Sequence, residues 1–426
     1  AYFHKPDITL ADDEVIVFCC LKNEAIRLPY FLEYYRSKGV KSFFIIDNAS
    51  TDGGGDYLKT QPDVHYFYTE MSYKGSSAGR LWMQELCDHY GTGKWCLTVD
   101  VDEMLVWPGA EEMTLQDLTT YLDAEGAAGL FGVFLDMYSD KPLNKTIYTA
   151  GEPFLDVCPF YETETYILQA GANPPYLSIF GGPRGKDFVE NKDTGNGPMM
   201  KKIPLIKWFE GFSYIYSTHS HKYVPLSDIT GAVLHFKFFD FFTDLAAYEN
   251  KRGDRRQTQD YAHYAATMTG EQKFYNNRSY LYRSTSDLVK RGVIRCNRDY
   301  ADFADGVAKK GGPAMQHAMK TLLPSGPSAP EMHATGRFSI GGVAAIWPFV
   351  HNPKIIEQFS DGVSCRKFTN RPKYVAQAVK AVNVHDLTPE GMLVRVPESV
   401  SYRQVNPRLS FAIYLGDDLK KLVPIV

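Results

Sequence analysis

Several features that mark common protein classes are missing from this chain. Its seven cysteines among 426 residues are an odd number without a C-x-x-C pair, which argues against a disulfide framework or a zinc ribbon and favours a reducing compartment. No apolar run reaches the roughly 18–20 residues of a membrane-spanning helix, and no basic region followed by an apolar stretch opens the sequence. We therefore expect no transmembrane segment, no signal peptide and a cytoplasmic location, with which peripheral contact at the inner face of the membrane is compatible.

A strong charge imbalance and a glycine-rich phosphate loop are also absent. The 50 acidic and 46 basic side chains give a net charge of −4, so no basic field predicts binding to nucleic acid. The turn after the first apolar segment, LKNE at residues 21–24, contains no glycine, and G-x-G-x-x-G occurs nowhere. Dinucleotide dehydrogenases and nucleotidyltransferases, which need such a loop there, are therefore disfavoured.

The composition that is present is typical of a folded protein, and the order of its apolar segments predicts an α/β class. Hydrophobic residues make up 44% and charged residues 23% of the chain, and its length predicts two or three domains of roughly 150 residues each. Short apolar segments at 14–21, 42–46 and 95–99 predict strands, and the apolar spacing at 27–36 and 78–90 predicts helices between them. Strand–helix–strand units of this kind build parallel sheets.

Changes in composition along the chain predict its domains. Many Gly, Pro and Asn residues between 150 and 200 predict long loops, whereas apolar segments at 129–135 and 232–239 predict further strands. A stretch rich in Ala, Gly, Pro and Ser begins near residue 301 and predicts a linker. We therefore predict one domain over residues 1–295, a linker over 296–336, and a small β-rich domain of unknown role over 337–426.

A cluster of carboxylates carries the clearest chemical signal. Asp100, Asp102 and Glu103 directly follow a predicted strand, and three carboxylates this close repel one another unless a cation lies among them. Oxygen ligands suit a hard divalent ion, Mn²⁺ or Mg²⁺, which usually takes one or two protein carboxylates with phosphate oxygens and water. A solvated acidic turn is the alternative. The polar turns at 22–24 and 47–52 also follow predicted strands, however, and ligands of open α/β sheets bind at that edge.

Three stretches, in this order, resemble the GT-A glycosyltransferases of family 2: VFCCLKNE at 17–24, FIIDNASTD at 44–52 and VDVDE at 99–103. The resemblance is closest to a bacterial branch of that family, to which KIPLIKW at 202–208 and LHFKF at 234–238 are also similar. It implies a GT-A, Rossmann-like nucleotide-sugar domain with a mostly parallel central sheet. Within that domain, residues 13–115 would form the nucleotide-binding half and 116–295 the acceptor half.

The resemblance also assigns roles to single residues. Asp102 would bind the metal on the donor diphosphate, and Asp100 would lie near the ribose. Contacts to the base and ribose are expected from the turns after the first two strands, at Leu21, Asn23, Glu24, Asp47 and Asp52. Phosphate contacts are expected from basic residues near the same stretches, at Arg80, Lys202 and Lys237.

A further metal ligand and the general base stay open between candidates. A GT-A site often has a later histidine, and His235 and His219 are the candidates here. Alternation with the neighbouring phenylalanines predicts that His235 faces the rim of the sheet together with Lys237; the alternative is a His235 hydrogen-bonded inside the core. For the general base, expected to be Asp or Glu, the candidates are Asp187 and Glu210, which precede the histidine motifs. The choice stays open, because the family's common E-D pair before a Q/R-x-x-R-W helix is missing.

The residues and the resemblance together predict a metal-dependent, inverting glycosyltransferase of the hexosyltransferase type, active in polysaccharide biosynthesis. Its donor would be a nucleoside-diphosphate sugar, with a UDP-sugar favoured, and its acceptor a glycan, a lipid or another hydroxyl compound. We expect the aromatic cluster at 236–242 to belong to the core rather than to a surface patch. The alternative is a non-catalytic nucleotide- or carbohydrate-binding protein on the same fold, which would have no reason to keep three repelling carboxylates.

Overall fold

The structure is a computed structural model that describes residues 2–170, 177–188, 198–222, 224–254, 258–311, 343–344, 383–388 and 391–395. The strands are β1 (Val15–Leu21), β2 (Ser42–Asp47), β3 (Val64–Tyr68), β4 (Trp95–Thr98), β5 (Glu103–Val106), β6 (Gly129–Asp136), β7 (Phe160–Tyr161), β8 (Tyr166–Ala170), β9 (Leu177–Gly181), β10 (Lys201–Lys207), β11 (Tyr214–Ser217), β12 (Ser220–His221), β13 (Leu226–His235), β14 (Tyr280–Leu281), β15 (Asn383–Thr388) and β16 (Gly391–Arg395). The α-helices are α1 (Leu28–Ser37), α2 (Gly54–Lys59), α3 (Arg80–Leu86), α4 (Leu115–Glu125), α5 (Phe154–Val157), α6 (Gly182–Phe188), α7 (Phe242–Arg252), α8 (Thr258–Thr267), α9 (Thr285–Lys290) and α10 (Arg298–Gly311).

One large mixed sheet organises the described part of the chain. Its eight strands follow the order β3-β2-β1-β4-β10-β6-β13-β5. Pairing is parallel from β3 to β4 and between β6 and β13, whereas β10 and β5 run antiparallel to their neighbours. The predicted α/β class with a mostly parallel central sheet is confirmed.

The first parallel block forms where the sequence predicts it. The side chains of β1 and β2 are almost all buried, as expected for strands covered on both faces. Helix α1 connects the two strands and has Pro29 in its first turn, where the missing N–H breaks no hydrogen bond. It buries the face that carries Leu28, Phe31, Leu32, Tyr34 and Tyr35, and this face joins the main hydrophobic core.

The strand directions determine where a ligand site can form. The six parallel strands of the large sheet all end at the same side, which we call the carboxyl edge; the opposite side is the amino edge. The antiparallel strand β5 begins at the carboxyl edge, where Glu103 pairs with His235 at the end of β13. Residues that are more than 130 positions apart in sequence therefore meet at this edge.

The aromatic cluster at 236–242 lies in the core, as predicted. Strand β13 ends at His235, earlier than the predicted end at 239. Beyond it, Phe236, Phe238, Phe239 and Phe242 are each at most 1% exposed, and two of them belong to a second apolar cluster beneath α7 and α8. No helix in the described ranges combines the length and apolar character needed to cross a bilayer.

The chain between 150 and 200 is more regular than predicted. In place of long loops, its described residues form α5, β7, the antiparallel pair β8–β9 and α6. Two glycines that suggested a loop, Gly181 and Gly182, have positive φ angles of 100° and 66° at the junction between β9 and α6. Their backbone freedom makes a tight strand-to-helix turn here, so glycine content alone was misleading.

The start of the predicted linker is also corrected. Residues 298–311 form α10, in which Tyr300 is fully buried. Its hydroxyl donates to the Pro108 carbonyl at 2.9 Å, and its ring centroid lies 4.8 Å from that of Tyr121 on α4. The part of the chain that packs around the large sheet, which we call the main body, therefore continues past residue 295.

The rest of the predicted linker, 312–336, lies outside the described residues. Within the predicted C-terminal domain, β15 and β16 pair antiparallel, and the segment predicted as a strand near 409–415 lies outside the described ranges. A separate domain over 337–426 stays a prediction.

Candidate functional site

A cleft opens at the carboxyl edge, next to the ends of β1, β2, β4 and β13. Its cavity volume is about 70 Å³, smaller than the pockets that usually enclose a whole small ligand. The cleft is lined by Cys20, Leu21, Lys22, Glu24, Asn48, Tyr73, Asp100, Val101, Asp102, His235, Lys237, Leu245, Arg252 and Tyr261.

Asp102 and His235 face each other in this cleft. Asp102 lies in the turn between β4 and β5, and its carbonyl accepts a hydrogen bond from the backbone of Phe236 at 2.8 Å. This bond ties the turn to the end of β13 and brings His235 Nε2 to 3.4 Å from Asp102 Oδ2. His235 is thus both deeply buried, at 5% exposure, and part of the cleft wall.

A second carboxylate, that of Asp136, bonds the other ring nitrogen of His235. The parallel register of β6 and β13 places Asp136 beside His235. Asp136 Oδ1 accepts a hydrogen bond from His235 Nδ1 at 2.7 Å, and Oδ2 accepts one from Arg184 Nε at 2.8 Å. A line of alternating charges therefore runs from Arg184 through Asp136 and His235 to Asp102.

Opposite charges determine the protonation of this line. Burial would raise the pKa of Asp102, but the charges of His235, Lys237 and Arg27 together outweigh it and hold that pKa well below its usual range. Burial would likewise raise the pKa of Asp136, but Arg184 and His235 together outweigh it and lower the pKa. For His235, burial would lower the pKa, yet Asp102 and Asp136 together outweigh it and raise the pKa. Since both carboxylates are ionised acceptors, His235 Nδ1 carries a proton.

The three carboxylates at 100–103 do not share one site, contrary to expectation. Asp100 is exposed at the cleft, whereas Glu103 points into the core. There Lys202 Nζ lies 2.7 Å from Glu103 Oε2, and both side chains are at most 3% exposed. Lys202 therefore balances the negative charge of the buried Glu103 carboxylate. Because its ammonium is occupied in the core, Lys202 is not placed to bind phosphate, contrary to expectation.

The turn after β1 forms one wall of the cleft. Leu21 and Glu24 line it, and their contacts with the base and ribose stay a prediction. Glu24 Oε2 lies 2.5 Å from the guanidinium of the buried Arg27, and Arg27 in turn lies 4.7 Å from the ring of Phe241. The carboxylate of Glu24 is therefore held in place from the core side.

Three residues predicted to bind base and ribose stabilise turns instead. Asn23 and Asp52 each accept a backbone N–H bond at 2.8 Å between the turns after β1 and β2. Asp47 is 1% exposed and accepts bonds from the Ser50 backbone at 2.8 Å and the Tyr66 hydroxyl at 2.7 Å. None of the three is among the described residues that line the cleft, because their oxygens hold neighbouring backbone and side-chain groups.

Basic side chains form the other part of the cleft lining. Lys237, expected from the sequence to contact phosphate, lines the cleft together with Lys22 and Arg252. Lys22 Nζ donates to two backbone carbonyls of the turn after β2, at 2.6 and 2.7 Å. Arg252 Nη2 lies 3.1 Å from Glu249, whereas its buried Nε and Nη1 have no hydrogen-bond partner among the described residues. Buried N–H groups without a partner are costly, so they favour an anionic ligand.

Two other predicted residues lie away from the cleft. The ring of His219 packs against Phe134 with centroids 5.3 Å apart, and its Nδ1 donates to the Lys201 carbonyl at 2.8 Å. Burial lowers the pKa of His219 to about 3, so it is neutral and structural. Arg80 donates to the carbonyl of Tyr214 at 3.2 Å, which corrects its expected contact with phosphate.

The two candidate bases differ in position. Glu210 is exposed in the turn after β10. Because β10 is antiparallel to β4, with Lys207 paired to Trp95, this turn lies at the amino edge and Glu210 cannot reach the cleft. Asp187 lies in α6, and its side chain falls outside the described part of the structure.

The donor set of Asp102 and His235 fits a divalent cation shared with a ligand. Within the described ranges, no group of three or more His, Cys, Asp and Glu side chains could hold a metal alone. One carboxylate and one imidazole, completed by phosphate oxygens and water, suit Mn²⁺, and Mg²⁺ also prefers few protein ligands. The bond from His235 to Asp136 is the support that metal-binding histidines usually have.

Comparison with known proteins adds one distant relative. No protein-family model matches the chain. A glycosyltransferase family 92 protein of rice, Oryza sativa subsp. japonica, is 26% identical over 202 residues, which are 46% of this chain. The match covers 30% of the rice protein's length. At this coarse level the chain is related to a glycosyltransferase and has a glycosyltransferase-like fold; the resemblance to family 2 stays a prediction.

Two solved structures were also similar over part of the chain. One is described as a glucose-1-phosphate thymidylyltransferase of Bacillus anthracis in complex with a sucrose; it covers 30% of this chain and 56% of its own, with a TM-score of 0.21. The other, HddC from Yersinia pseudotuberculosis, covers 46% and 73%, with a TM-score of 0.22. Both are 9% identical in sequence to this chain, and similarity at this level does not indicate a function.

Proposed function

We propose that this chain is a glycosyltransferase that moves a sugar from a nucleoside-diphosphate sugar, with a UDP-sugar favoured, to a hydroxyl group of a glycan or lipid. Asp102 and His235 would hold Mn²⁺ or Mg²⁺ on the donor. The observation that carries the proposal is the meeting, in one cleft, of Asp102 and His235 with Lys237 and with Arg252, whose buried Nε and Nη1 have no hydrogen-bond partner among the described residues. A diphosphate with a bridging cation complements both sides.

Different residues of the cleft would bind the diphosphate and the nucleoside of the donor. Arg252 and Lys237 would donate to diphosphate oxygens, and Leu21 with the ring of Tyr73 would form walls for the nucleoside. A bound divalent ion would offset the negative charge that develops on the leaving diphosphate. An inverting displacement also needs a base near the acceptor hydroxyl, and Asp187 is the predicted candidate that remains after Glu210 is excluded by position.

The test is a screen of nucleotide sugars for donor hydrolysis in the presence of Mn²⁺. Asp102→Asn keeps the size of the side chain but removes the charge, so we expect metal-dependent hydrolysis to fall by about 100-fold or more, the upper range seen when support of a metal ligand is lost. The matched control is Asp123→Asn. Asp123 is a half-exposed carboxylate of α4 that pairs with Lys207 at the amino edge, and hydrolysis should be unchanged.

Two outcomes would contradict the proposal. Normal hydrolysis by Asp102→Asn in Mn²⁺ would remove Asp102 from the metal site. A rise in melting temperature with UDP and Mn²⁺, expected for any ligand that binds only the folded state, without hydrolysis of any donor, would favour the non-catalytic binding protein.

A further inference from the structure

We propose that Asp136 is a positioning residue that fixes which ring nitrogen of His235 carries the proton, so that the Nε2 lone pair of the neutral ring faces Asp102; this rests on the proposed function only where it concerns metal binding. Asp136 is the last residue of β6 and is fully buried. It lies 2.7 Å from His235 Nδ1 but does not line the cleft. Its effect on a ligand must therefore pass through His235.

The geometry leaves Asp136 one way to interact with its two partners. Its Oδ1 faces His235 Nδ1, and its Oδ2 faces Arg184 Nε at 2.8 Å. An arginine cannot accept a hydrogen bond, so Oδ2 must be an acceptor. The cationic guanidinium of Arg184, at 2.8 Å, keeps the carboxyl of Asp136 ionised. An ionised carboxylate only accepts, so His235 Nδ1 must donate, and the lone pair of a neutral His235 then lies on Nε2, directed at Asp102.

Arg184 completes this arrangement from the acceptor half of the chain. It belongs to α6, whereas Asp136 and His235 end two adjacent strands of the sheet. Its side chain is 11% exposed and that of Asp136 is completely buried, so little water competes for their bond. The position of α6 is thus linked to the orientation of the histidine in the cleft.

Asp136→Asn is the sharpest test, because a carboxamide cannot accept at both ends. Its oxygen is expected to face the charged Arg184, which places the NH₂ group against His235 Nδ1. His235 would then have to accept at Nδ1 and carry its proton on Nε2, where it blocks a metal. We expect the affinity for Mn²⁺, measured by EPR titration with UDP present, to fall by about 10–100-fold.

The ring nitrogens themselves give a readout that needs no metal. In the wild-type protein, ¹⁵N NMR at alkaline pH should place the remaining imidazole proton of His235 on Nδ1, and in Asp136→Asn on Nε2. Asp123→Asn, the same change at the amino edge, should leave both the proton position and the Mn²⁺ affinity unchanged.

The outcomes separate this inference from the proposed function. A wild-type proton on Nε2, or an unchanged Mn²⁺ affinity in a folded Asp136→Asn, would overturn the role of Asp136. If Asp136→Asn does not fold, the ¹⁵N NMR spectrum of the wild-type protein still tests whether His235 carries its proton on Nδ1. Failure of the wild-type protein to bind Mn²⁺ with UDP would instead count against the proposed function, while the spectrum would still report on Asp136.

Discussion

Two neighbouring lysines on β10, Lys201 and Lys202, are both buried, but only Lys202 has an ion-pair partner among the described residues. Lys202 pairs with the buried Glu103 at 2.7 Å. Alternation along the strand sends Lys201 to the opposite face, where it is 6% exposed and has no ion-pair partner within the described residues. Burial lowers the pKa of Lys201 to about 8, so its charge is costly to the folded state near neutral pH.

We predict that Lys201→Met stabilises the protein at pH 7. The folded-state pKa of about 8 lies below the ordinary value of 10.5, so the unfolded chain binds the proton more tightly and stability rises as pH increases between these values. Removing the ammonium should add up to about 3 kcal/mol to the free energy of unfolding at pH 7, and much less near pH 10. Urea denaturation at both pH values measures this.

Lys207→Met is the matched control on the same strand. Lys207 is 40% exposed and pairs with the half-exposed Asp123, so its loss should change stability by less than about 1 kcal/mol at either pH. A destabilised Lys201→Met at pH 7 would mean that the ammonium is stabilised by a group not seen here.

Individual site residues could be predicted from sequence when strand ends placed them. Asp100 and Asp102 follow β4 and His235 ends β13, so a parallel topology was enough to bring them to one edge. Asp136 offered the same signal, an acidic residue at the end of an apolar strand, but its role depends on the register that pairs it with His235. Arg184 and Arg252 lie on helices, whose orientation over the sheet the sequence pattern does not give.

At the scale of elements, α4 has a well-defined start. Thr114 Oγ1 accepts from the Asp117 backbone at 3.2 Å, and Asp117 Oδ2 accepts from the Thr114 backbone at 2.9 Å. This reciprocal capping box satisfies donors that the first helical turn leaves without partners. The helix stops at Gly126, with a φ of 78°, which a glycine adopts without strain.

We predict that Thr114→Ala lowers the free energy of unfolding by about 1 kcal/mol, the usual effect of losing an N-cap side chain. Thr120→Ala is the control, because Thr120 is an exposed threonine within the same helix that bonds only to the Gln116 carbonyl, at 2.8 Å. Its loss should change stability by less than about 0.5 kcal/mol. Equal effects of the two substitutions in denaturant titrations would show that the cap contributes nothing specific.

Elements with strong apolar periodicity were predicted well, and those with weak patterns were not. Each end of β1, β2 and β4 lies within one residue of its predicted position, because buried parallel strands are short continuous apolar runs. The composition of the segment that forms α10, which contains several alanines, predicts a linker instead of a helix. Alanine is the best helix former, and Tyr300, Ala304 and Ala308 recur every four residues along the buried face.

For the molecule as a whole, the order of strands explains why the site draws on distant parts of the chain. Antiparallel β10 lies between two groups of parallel strands that end at the same edge. The first group supplies the turn after β1 and Asp102, and the second supplies Asp136 and His235. The candidate site therefore draws on both groups of strands, and neither group contains it alone.

The extent of the main body can be tested at α10. Tyr300 is fully buried against α4 and the Pro108 carbonyl, so Tyr300→Ala in the full chain should lower the free energy of unfolding by about 3–5 kcal/mol, as for other large buried aromatic side chains. The loss should appear in the fluorescence of the buried tryptophans of the main body, because α10 packs on that body. Lys309→Ala, at an exposed position of the same helix, should shift the transition by less than about 0.5 kcal/mol. If α10 belonged to a linker, the two variants would unfold at the same denaturant concentration as the wild-type protein.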